Sequence, residues 1–312
     1  MHLFSTDNDG TDKKSMTLCA ALDEAAGFLK KAGIESCKLD AAMLLAKVLG
    51  TDRTEFLIRP GARIKICDYK KYQELLKRRA NHECTAYITN SKEFRFLEFY
   101  VDKSVLVPRP DTETLVEAAL RRIDKLKETK DEICILDMCT GCGAVALSLK
   151  YERPFIKMCA SDISDAALAI ARKNAEKHKL QNDIRFIHSD IFENIAGRFD
   201  IIVSNPPYVP HELIKTLQAE VQKEPAIALD GGGDGLEIIR RIAGGAKKHL
   251  PRGGCIFLEA SPEQMDDTAG LLVSAGFNGV EVSRDLSGAG RVIGGVLTLT
   301  GESAKMNAND PV

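Results

Sequence analysis

Apolar residues recur at three- and four-residue spacing through LCAALDEAAGFLKKAG (18–33) and KLDAAMLLAKVLG (38–50), and each run stops at a glycine. That period places the apolar side chains on one helical face, and glycine closes a helix at little steric cost. Two further short helices are expected around Arg53 and after Asp68, completing a small helical bundle over residues 16–82. The period then shortens. AYITNSKEFRFLEFYVDKSVLVPRP (86–110) alternates apolar and polar residues around TNSK, which predicts a β-hairpin linker over 83–109 before Pro110 opens a helix at DTETLVEAALRRI.

From Asp131 onward, short apolar runs alternate with amphipathic ones. EICILDM, IKMCASD, IRFIHSD, FDIIVSN and GCIFLEA read as strands, and AVALSLKY, SDAALAIARKNAEKHK, GLEIIRRIAGGAKKHL and PEQMDDTAGLLVSAG as the helices between or after them. Buried strands alternating with helices imply an α/β domain over 110–300, with a largely parallel sheet covered on both faces and ligands beyond the carboxyl ends of its strands. No helix separates GVEVSRDL from RVIGGVLTLT, so these two predict an antiparallel hairpin at one edge. Residues 1–15 and 301–312 read as flexible polar tails.

Composition narrows this little: 44% hydrophobic and 28% charged residues suit an ordinary globular chain, and the N-terminus lacks the basic start and apolar stretch of a signal peptide, which predicts a cytoplasmic protein with no membrane contact. A net charge of −2 argues against stable nucleic-acid binding. Basic residues outnumber acidic ones between Met16 and Ala80, including Lys77-Arg78-Arg79, which reads as a solvated helix face or a binding patch.

Nine cysteines, an odd number lying often in apolar runs, suit buried thiols better than a disulfide framework. Cys139 and Cys142 have the spacing of a redox pair or half a zinc site, but the sequence supplies no second half, so no metal is expected. The same stretch contains Gly141-x-Gly143-x-x-Ala146, a turn that lets main-chain N–H groups and a helix N-terminus approach a ligand. Asp162, after the second strand of the domain, is placed to accept ribose hydroxyls, and Asp190, after the third, to reach the adenine side. These features suit a dinucleotide or S-adenosylmethionine. Asp137, at the end of the first strand, favours the second, because a carboxylate repels a pyrophosphate and attracts a cationic sulfonium ligand.

The fourth strand ends in Asn205-Pro206-Pro207-Tyr208. Consecutive prolines stiffen this turn and aim its carbonyls. Asn205 Oδ1 and the Pro206 carbonyl can accept the two protons of a planar NH2 group and hold its nitrogen toward a methyl donor, with Tyr208 as a flat wall. An amide and a nucleobase amine both fit that description.

NPPY together with VPRPDTE (107–113), EPAIALDGGGDGL (224–236) and DLSGAGRV (285–292) resembles the peptide chain release factor N5-glutamine methyltransferases, the HemK-like enzymes, over residues 17 to 298. The resemblance implies a class I S-adenosylmethionine-dependent methyltransferase domain, Rossmann-like with a mostly parallel seven-stranded sheet and an antiparallel edge hairpin. It also implies methyl transfer to the glutamine of the Gly-Gly-Gln loop of class 1 release factors, and a helical domain at 16–82 that binds this substrate. Carried over by position, Asp137, Cys139, Thr140, Gly141, Cys142, Gly143, Asp162, Asp190, Ile191 and Asn205 would contact the cofactor. Asn205, Pro206, Pro207 and Tyr208 would hold the glutamine, with Asn205 and Pro206 catalytic and with Arg109 and Glu113 nearby. Cys139 stands where the family usually has glycine, and its backbone is expected to fit beside the cofactor without unusual torsion angles. YITN, LEFYVDKSVLVPR and LDMCTG also resemble a sibling group that methylates a glutamine of a large-subunit ribosomal protein, whereas RPDTE and DLSGAGRV point back to the release factor enzymes. No role follows for Gly231–Gly235.

Overall fold

A computed structural model describes residues 16–298; the tails expected at 1–15 and 301–312 lie outside the described residues. The chain forms two compact units, one running to Ser91 and including Gln218–Lys223, the other made of Lys92–Leu217 and the chain from Glu224 onward.

The first unit consists of helices α1 (Leu18–Lys31), α2 (Cys37–Leu49), α3 (Thr54–Ile58), α4 (Ile66–Ala80) and α5 (Thr85–Thr89). Thr17 caps α1 by accepting the Ala20 N–H, and Gly50, the expected stop, closes α2 in the left-handed conformation. Leu18, Leu29, Leu44, Leu45 and Tyr72 fill the core. Within it lies a charge: Arg79, 2% exposed, donates to Asp40 Oδ2 at 2.7 Å and pairs with Glu220, while Thr85 Oγ1 donates to Asp40 Oδ1 at 2.9 Å. Arg78 pairs with Glu83. Two of the three basic residues at 77–79 are therefore consumed internally, and the triplet is not a free binding patch.

Two expectations need correcting. The helix after Asp68 is not short: it starts at Ile66 and is the longest of this unit. The segment 83–109 is not a hairpin throughout, and the division between units falls after Ser91 rather than after His82. AYIT belongs to α5, whose C-cap Asn90 adopts φ 54°, so TNSK ends a helix instead of turning a hairpin. The hairpin is the shorter pair β1 (Lys92–Phe94) and β2 (Leu97–Phe99), turning at Arg95 and Phe96, with Arg95 held by Glu152 at 2.7 Å. Local polar residues serve equally well as a helix stop or a β-turn, so alternation alone could not choose.

The second unit continues with a 3-10 turn (Pro110–Thr112), α6 (Glu113–Lys127), β3 (Cys134–Met138), α7 (Ala144–Glu152), β4 (Lys157–Asp162), α8 (Asp165–Lys177), β5 (Ile184–His188) and β6 (Ile201–Ser204). It ends with α9 (Glu237–Ala246), β7 (Cys255–Glu259), α10 (Met265–Ser274), β8 (Phe277–Arg284) and β9 (Gly290–Leu297). The strands form one seven-stranded sheet in the order β5-β4-β3-β6-β7-β9-β8, parallel from β5 to β7, with β9 antiparallel to both β7 and β8. Every residue of central β6 is buried, so both faces of the sheet are covered there, as its unbroken apolar sequence requires. Strand order reverses between β3 and β6, which opens a crevice at their carboxyl ends. No described helix is long and apolar enough to cross a membrane.

Removing Asp40 would leave Arg79 without its buried counter-charge, since its other partner, Glu220, is the more exposed of the two. Asp40→Ala is expected to destabilise the helical unit by about 3–5 kcal/mol in urea unfolding; a loss under about 1 kcal/mol would show that solvent reaches Arg79 and the pair is not structural.

Candidate active site

The cleft at the carboxyl ends of β3 to β6 has two connected lobes, sharing Cys139, Asp162, Ile163, Pro207 and Ile227. The first, an open space of about 790 Å³, is lined by Asp137, the Cys139–Cys142 turn, Thr112 and Asn205; the second by Asp190, Ile191, Ile238 and Arg241.

Carboxylates build the turn between β3 and α7. Asp137, 1% exposed, accepts from Thr140 Oγ1 at 2.6 Å and from the Ala146 N–H at 3.1 Å, tying the turn to the start of α7. Asp162 accepts from the Gly141 N–H and the Ser164 N–H, both at 2.9 Å, tying the same turn to β4 and α8. Gly141 has φ 56° and Gly143 φ 85°; a Cβ at Gly143 would also lie 2.6 Å from Leu147 Cδ1. These two glycines are conformational requirements.

Burial pushes the Asp137 carboxyl up to about 7, against the hydrogen bonds from Thr140 and Ala146 that favour its anion. Burial likewise raises Asp162. Asp137 therefore stabilises the ligand-free protein only at low pH, and that contribution is lost as pH rises through about 7. A cation placed in the cleft would offset the cost of the buried anion, which a pyrophosphate could not do. The donor set thus fits a sulfonium-containing nucleoside better than a dinucleotide.

Cys139 has φ 57°, contrary to the expectation of ordinary torsion angles. The turn needs a left-handed residue there, the state in which glycine is least costly. Both thiols are unbonded; burial pushes Cys142 up to about 12 and Cys139 higher still, so neither is poised as a thiolate. No group of potential metal ligands occurs among the described residues.

Asp190 lines the second lobe but is already paired with Arg241 of α9 at 2.8 Å, a partner the sequence did not suggest. Ile191 lies beside it with φ 49°.

The turn after β6 sits one strand from the Cys139–Gly143 turn, because β6 pairs with β3 in a register that matches Ser204 to Met138. Ser204 Oγ donates to the Met138 carbonyl at 2.8 Å and pins that register. Asn205 Nδ2 donates to Thr112 Oγ1 at 3.1 Å, which turns Oδ1 the other way, and Asn205 and Pro207 line the cleft. Pro206 is buried, and among the described residues nothing donates to its carbonyl. Tyr208 does not line the cleft: its ring packs on the core and its hydroxyl donates to Glu259 at 3.3 Å. Arg109 and Glu113 do not line it either; Arg109 pairs with Glu224, whose carboxylate also accepts from the Val107 N–H at 3.2 Å, and Glu113 occupies the first turn of α6.

The glycine-rich loop after EPAIALD is a buttress. Its Gly231 N–H donates to the Val209 carbonyl at 2.9 Å, and a Cβ on Gly235 would meet the Tyr208 carbonyl oxygen at 2.4 Å. Gln264 donates to that same carbonyl at 2.9 Å. Arg291 bridges Asp285 and Asp111 at 3.2 and 3.1 Å. The separate motifs thus brace the Asn205–Tyr208 turn and the segment around Arg109 and Thr112. Sequence reasoning missed Thr112, Arg241, Glu259 and Gln264; only Glu259, a carboxylate ending a buried apolar strand, carried a visible signal.

Two family models match the chain: a PrmC N-terminal domain over residues 20–89 and a methyltransferase small domain over 119–283. A release factor glutamine methyltransferase of Agrobacterium fabrum is 37% identical over 278 residues, spanning 89% of this chain and 96% of the relative. The protein of the same name from Clostridium botulinum is 39% identical, spanning 89% and 98%. Among solved structures, the hMettl16 catalytic domain in complex with MAT2A 3′UTR hairpin 6 is 16% identical with a TM-score of 0.53, covering 75% of this chain and 84% of that one, which is a likeness of fold.

Cys139→Val, which forces a β-branched side chain into the left-handed region, is expected to cost roughly 1–2 kcal/mol in thermal unfolding. Cys139→Gly should stay within about 1 kcal/mol of the parent, since relief of the steric cost is offset by added chain entropy. Equal melting of the parent and the valine variant would contradict the turn geometry.

Proposed function

The chain belongs to the release factor glutamine methyltransferase family, and we propose that it transfers a methyl group from S-adenosylmethionine to the side-chain amide nitrogen of the glutamine in the Gly-Gly-Gln motif of class 1 release factors. The observation that carries this reading is the fixed Asn205 amide, oriented by Thr112 one strand away from the Cys139–Gly143 turn.

The chemistry explains why orientation is the main task. An amide nitrogen is a poor nucleophile because its lone pair is delocalised into the carbonyl. Asn205 Oδ1 and the Pro206 carbonyl accept its two protons, fix its plane and hold its π-face toward the methyl carbon. Asp137 and Asp162 hold the cofactor turn in shape, and Asp137 balances the cation's charge. Asp190 and Ile191 bound the lobe that suits the adenine. When bound, S-adenosylmethionine supplies an electrophilic methyl carbon on a positively charged sulfur. The amide nitrogen held by Asn205 and Pro206 would take that methyl carbon while the sulfur kept the electron pair of the broken bond, and the methylated amide would then lose one proton toward solvent. No strong base is needed before transfer. The acceptor pair suits a planar NH2 group, and family membership favours a glutamine over a nucleobase.

The helical unit matching the PrmC N-terminal domain is the proposed docking surface for the protein substrate. A release factor substrate implies action in the cytoplasm, where translation proceeds.

Incubation with S-adenosylmethionine and a class 1 release factor, followed by peptide mass mapping, should locate one methyl group on the Gly-Gly-Gln glutamine. Methyl on a ribosomal protein glutamine or on nucleic acid instead would overturn the substrate assignment. Asn205→Ala should lower kcat by at least about 100-fold with cofactor affinity within a few-fold of the parent; near-parental turnover would remove Asn205 from its role.

Cofactor binding should also release a proton from Asp137. Calorimetry between about pH 5.5 and 8.5 should show full affinity above pH 7 and weakening that approaches tenfold per unit below it. Asp137→Asn should weaken binding and flatten this dependence; a parent profile already flat would contradict the charge argument.

A further inference from the structure

Glu259 ends β7 beside the catalytic turn, since the parallel register pairs Ser204 with Leu258 and leaves Glu259 next to Asn205. It is 1% exposed. Tyr208 donates to its Oε1, while Oε2 has no hydrogen-bond partner of ordinary geometry. Thr112 is also buried, its hydroxyl oxygen accepts from Asn205, and no hydrogen bond of ordinary geometry joins it to Glu259, although its hydroxyl dipole favours the carboxylate. A buried carboxylate with an unused oxygen at a strand end is costly to keep, and anchoring the Tyr208 hydroxyl accounts for only one of its two oxygens.

We propose that Glu259 is a positioning residue for the transfer: acting through the Thr112 hydroxyl, it decides which end of the Asn205 amide faces the cleft. The proposal rests on the reading that Asn205 Oδ1 accepts a proton of the substrate amide.

Thr112 has one hydroxyl proton and two lone pairs. An ionised Glu259 can only accept, and in the proposed arrangement its unfilled Oε2 draws the Thr112 proton toward it. Thr112 Oγ1 is then left as an acceptor toward Asn205, whose Nδ2 must face it, as observed at 3.1 Å. Asn205 Oδ1 is thereby presented to the cleft. A protonated Glu259 removes the constraint, because it can donate to Thr112. The Thr112 proton becomes free to bond Asn205 Oδ1, and the amide can turn its NH2 group toward a substrate that also offers NH2. Two donors then meet and alignment is lost.

The surroundings place this switch in a usable range. Burial raises the Glu259 carboxyl to about 7, and Asp111 adds to the rise; Thr112, Arg291 from β9 and the Tyr208 hydroxyl pull it down. Arg291 is in turn held by Asp285. The orienting anion is present above about pH 7 and lost below it.

The test uses the full-length protein and Glu259→Gln, which keeps the shape but is neutral at every pH. With cofactor saturating, so that Asp137 stays ionised, kcat of the parent should fall as one proton is taken up below about pH 7. Glu259→Gln should start at least about tenfold lower and lack that limb, with the calorimetric Kd for S-adenosylmethionine within a few-fold of the parent, which also certifies its fold. Thr112→Val should reproduce the loss in kcat. Independently of turnover, the Asn205 side-chain NH2 resonances, assigned by their absence in Asn205→Asp, should shift with a midpoint near pH 7 in the parent and not in Glu259→Gln. A parent-like kcat and pH profile in Glu259→Gln, parent-like turnover in Thr112→Val, or Asn205 resonances that ignore pH would each overturn the proposal. If the parent methylates no glutamine, the substrate reading fails on its own, and the resonance titration still decides the role of Glu259.

Discussion

The pairing of β3 with β6 is the constraint from which the site follows. These strands are far apart in sequence and adjacent in the sheet, and their register sets Met138 against Ser204. One residue further along each strand, the chain leaves the sheet as the Cys139 turn on one side and as Asn205 on the other. The proposed donor and acceptor sites are neighbours because two buried strands end at the same level. A slip in that register would separate them, and the Ser204 hydroxyl on the Met138 carbonyl opposes such a slip.

Around this junction the protein places three carboxylates, Asp137 and Glu259 buried and Asp162 half-buried, at the ends of β3, β7 and β4, and each is held differently. Asp162 is tied by main-chain N–H groups, Asp137 by Thr140 and the first turn of α7, and Glu259 by the Tyr208 hydroxyl and the distant charge of Arg291. Their desolvation is unfavourable, and in the proposed reaction it is offset when a cation and a planar amide occupy the cleft. The glycine loop and Gln264 add the rigidity that a weak nucleophile demands, since they press on the Tyr208 carbonyl from two directions. Preorganisation here substitutes for a strong base.

Much of this was legible in the sequence because it depends on local periodicity. The alternation of strands and helices, the edge hairpin and the position of the Asp137, Asp162 and Asn205 strand ends all follow from apolar runs that must be buried. What was not legible depends on long-range geometry. TNSK could end a helix or turn a hairpin, and only the packing of α5 into the helical unit decides. The left-handed state of Cys139 is invisible because a cysteine does not announce it as a glycine would. Tyr208 was expected as a wall of the cleft, yet its ring turns to the core because Glu259, 51 residues away in sequence, offers its hydroxyl an acceptor. Thr112 lies 93 residues from the asparagine it orients, beyond the reach of any spacing rule.

The geometric claim at the centre of the account is that the Asn205–Pro206 pair receives the amide protons of a glutamine. A crystal structure of the protein with S-adenosylhomocysteine and a peptide containing Gly-Gly-Gln tests it directly. The glutamine side-chain nitrogen is expected within about 3.2 Å of both Asn205 Oδ1 and the Pro206 carbonyl oxygen, with the Asn205 nitrogen still on Thr112. A glutamine amide bound elsewhere, or an Asn205 that turns its NH2 group to the substrate, would contradict it.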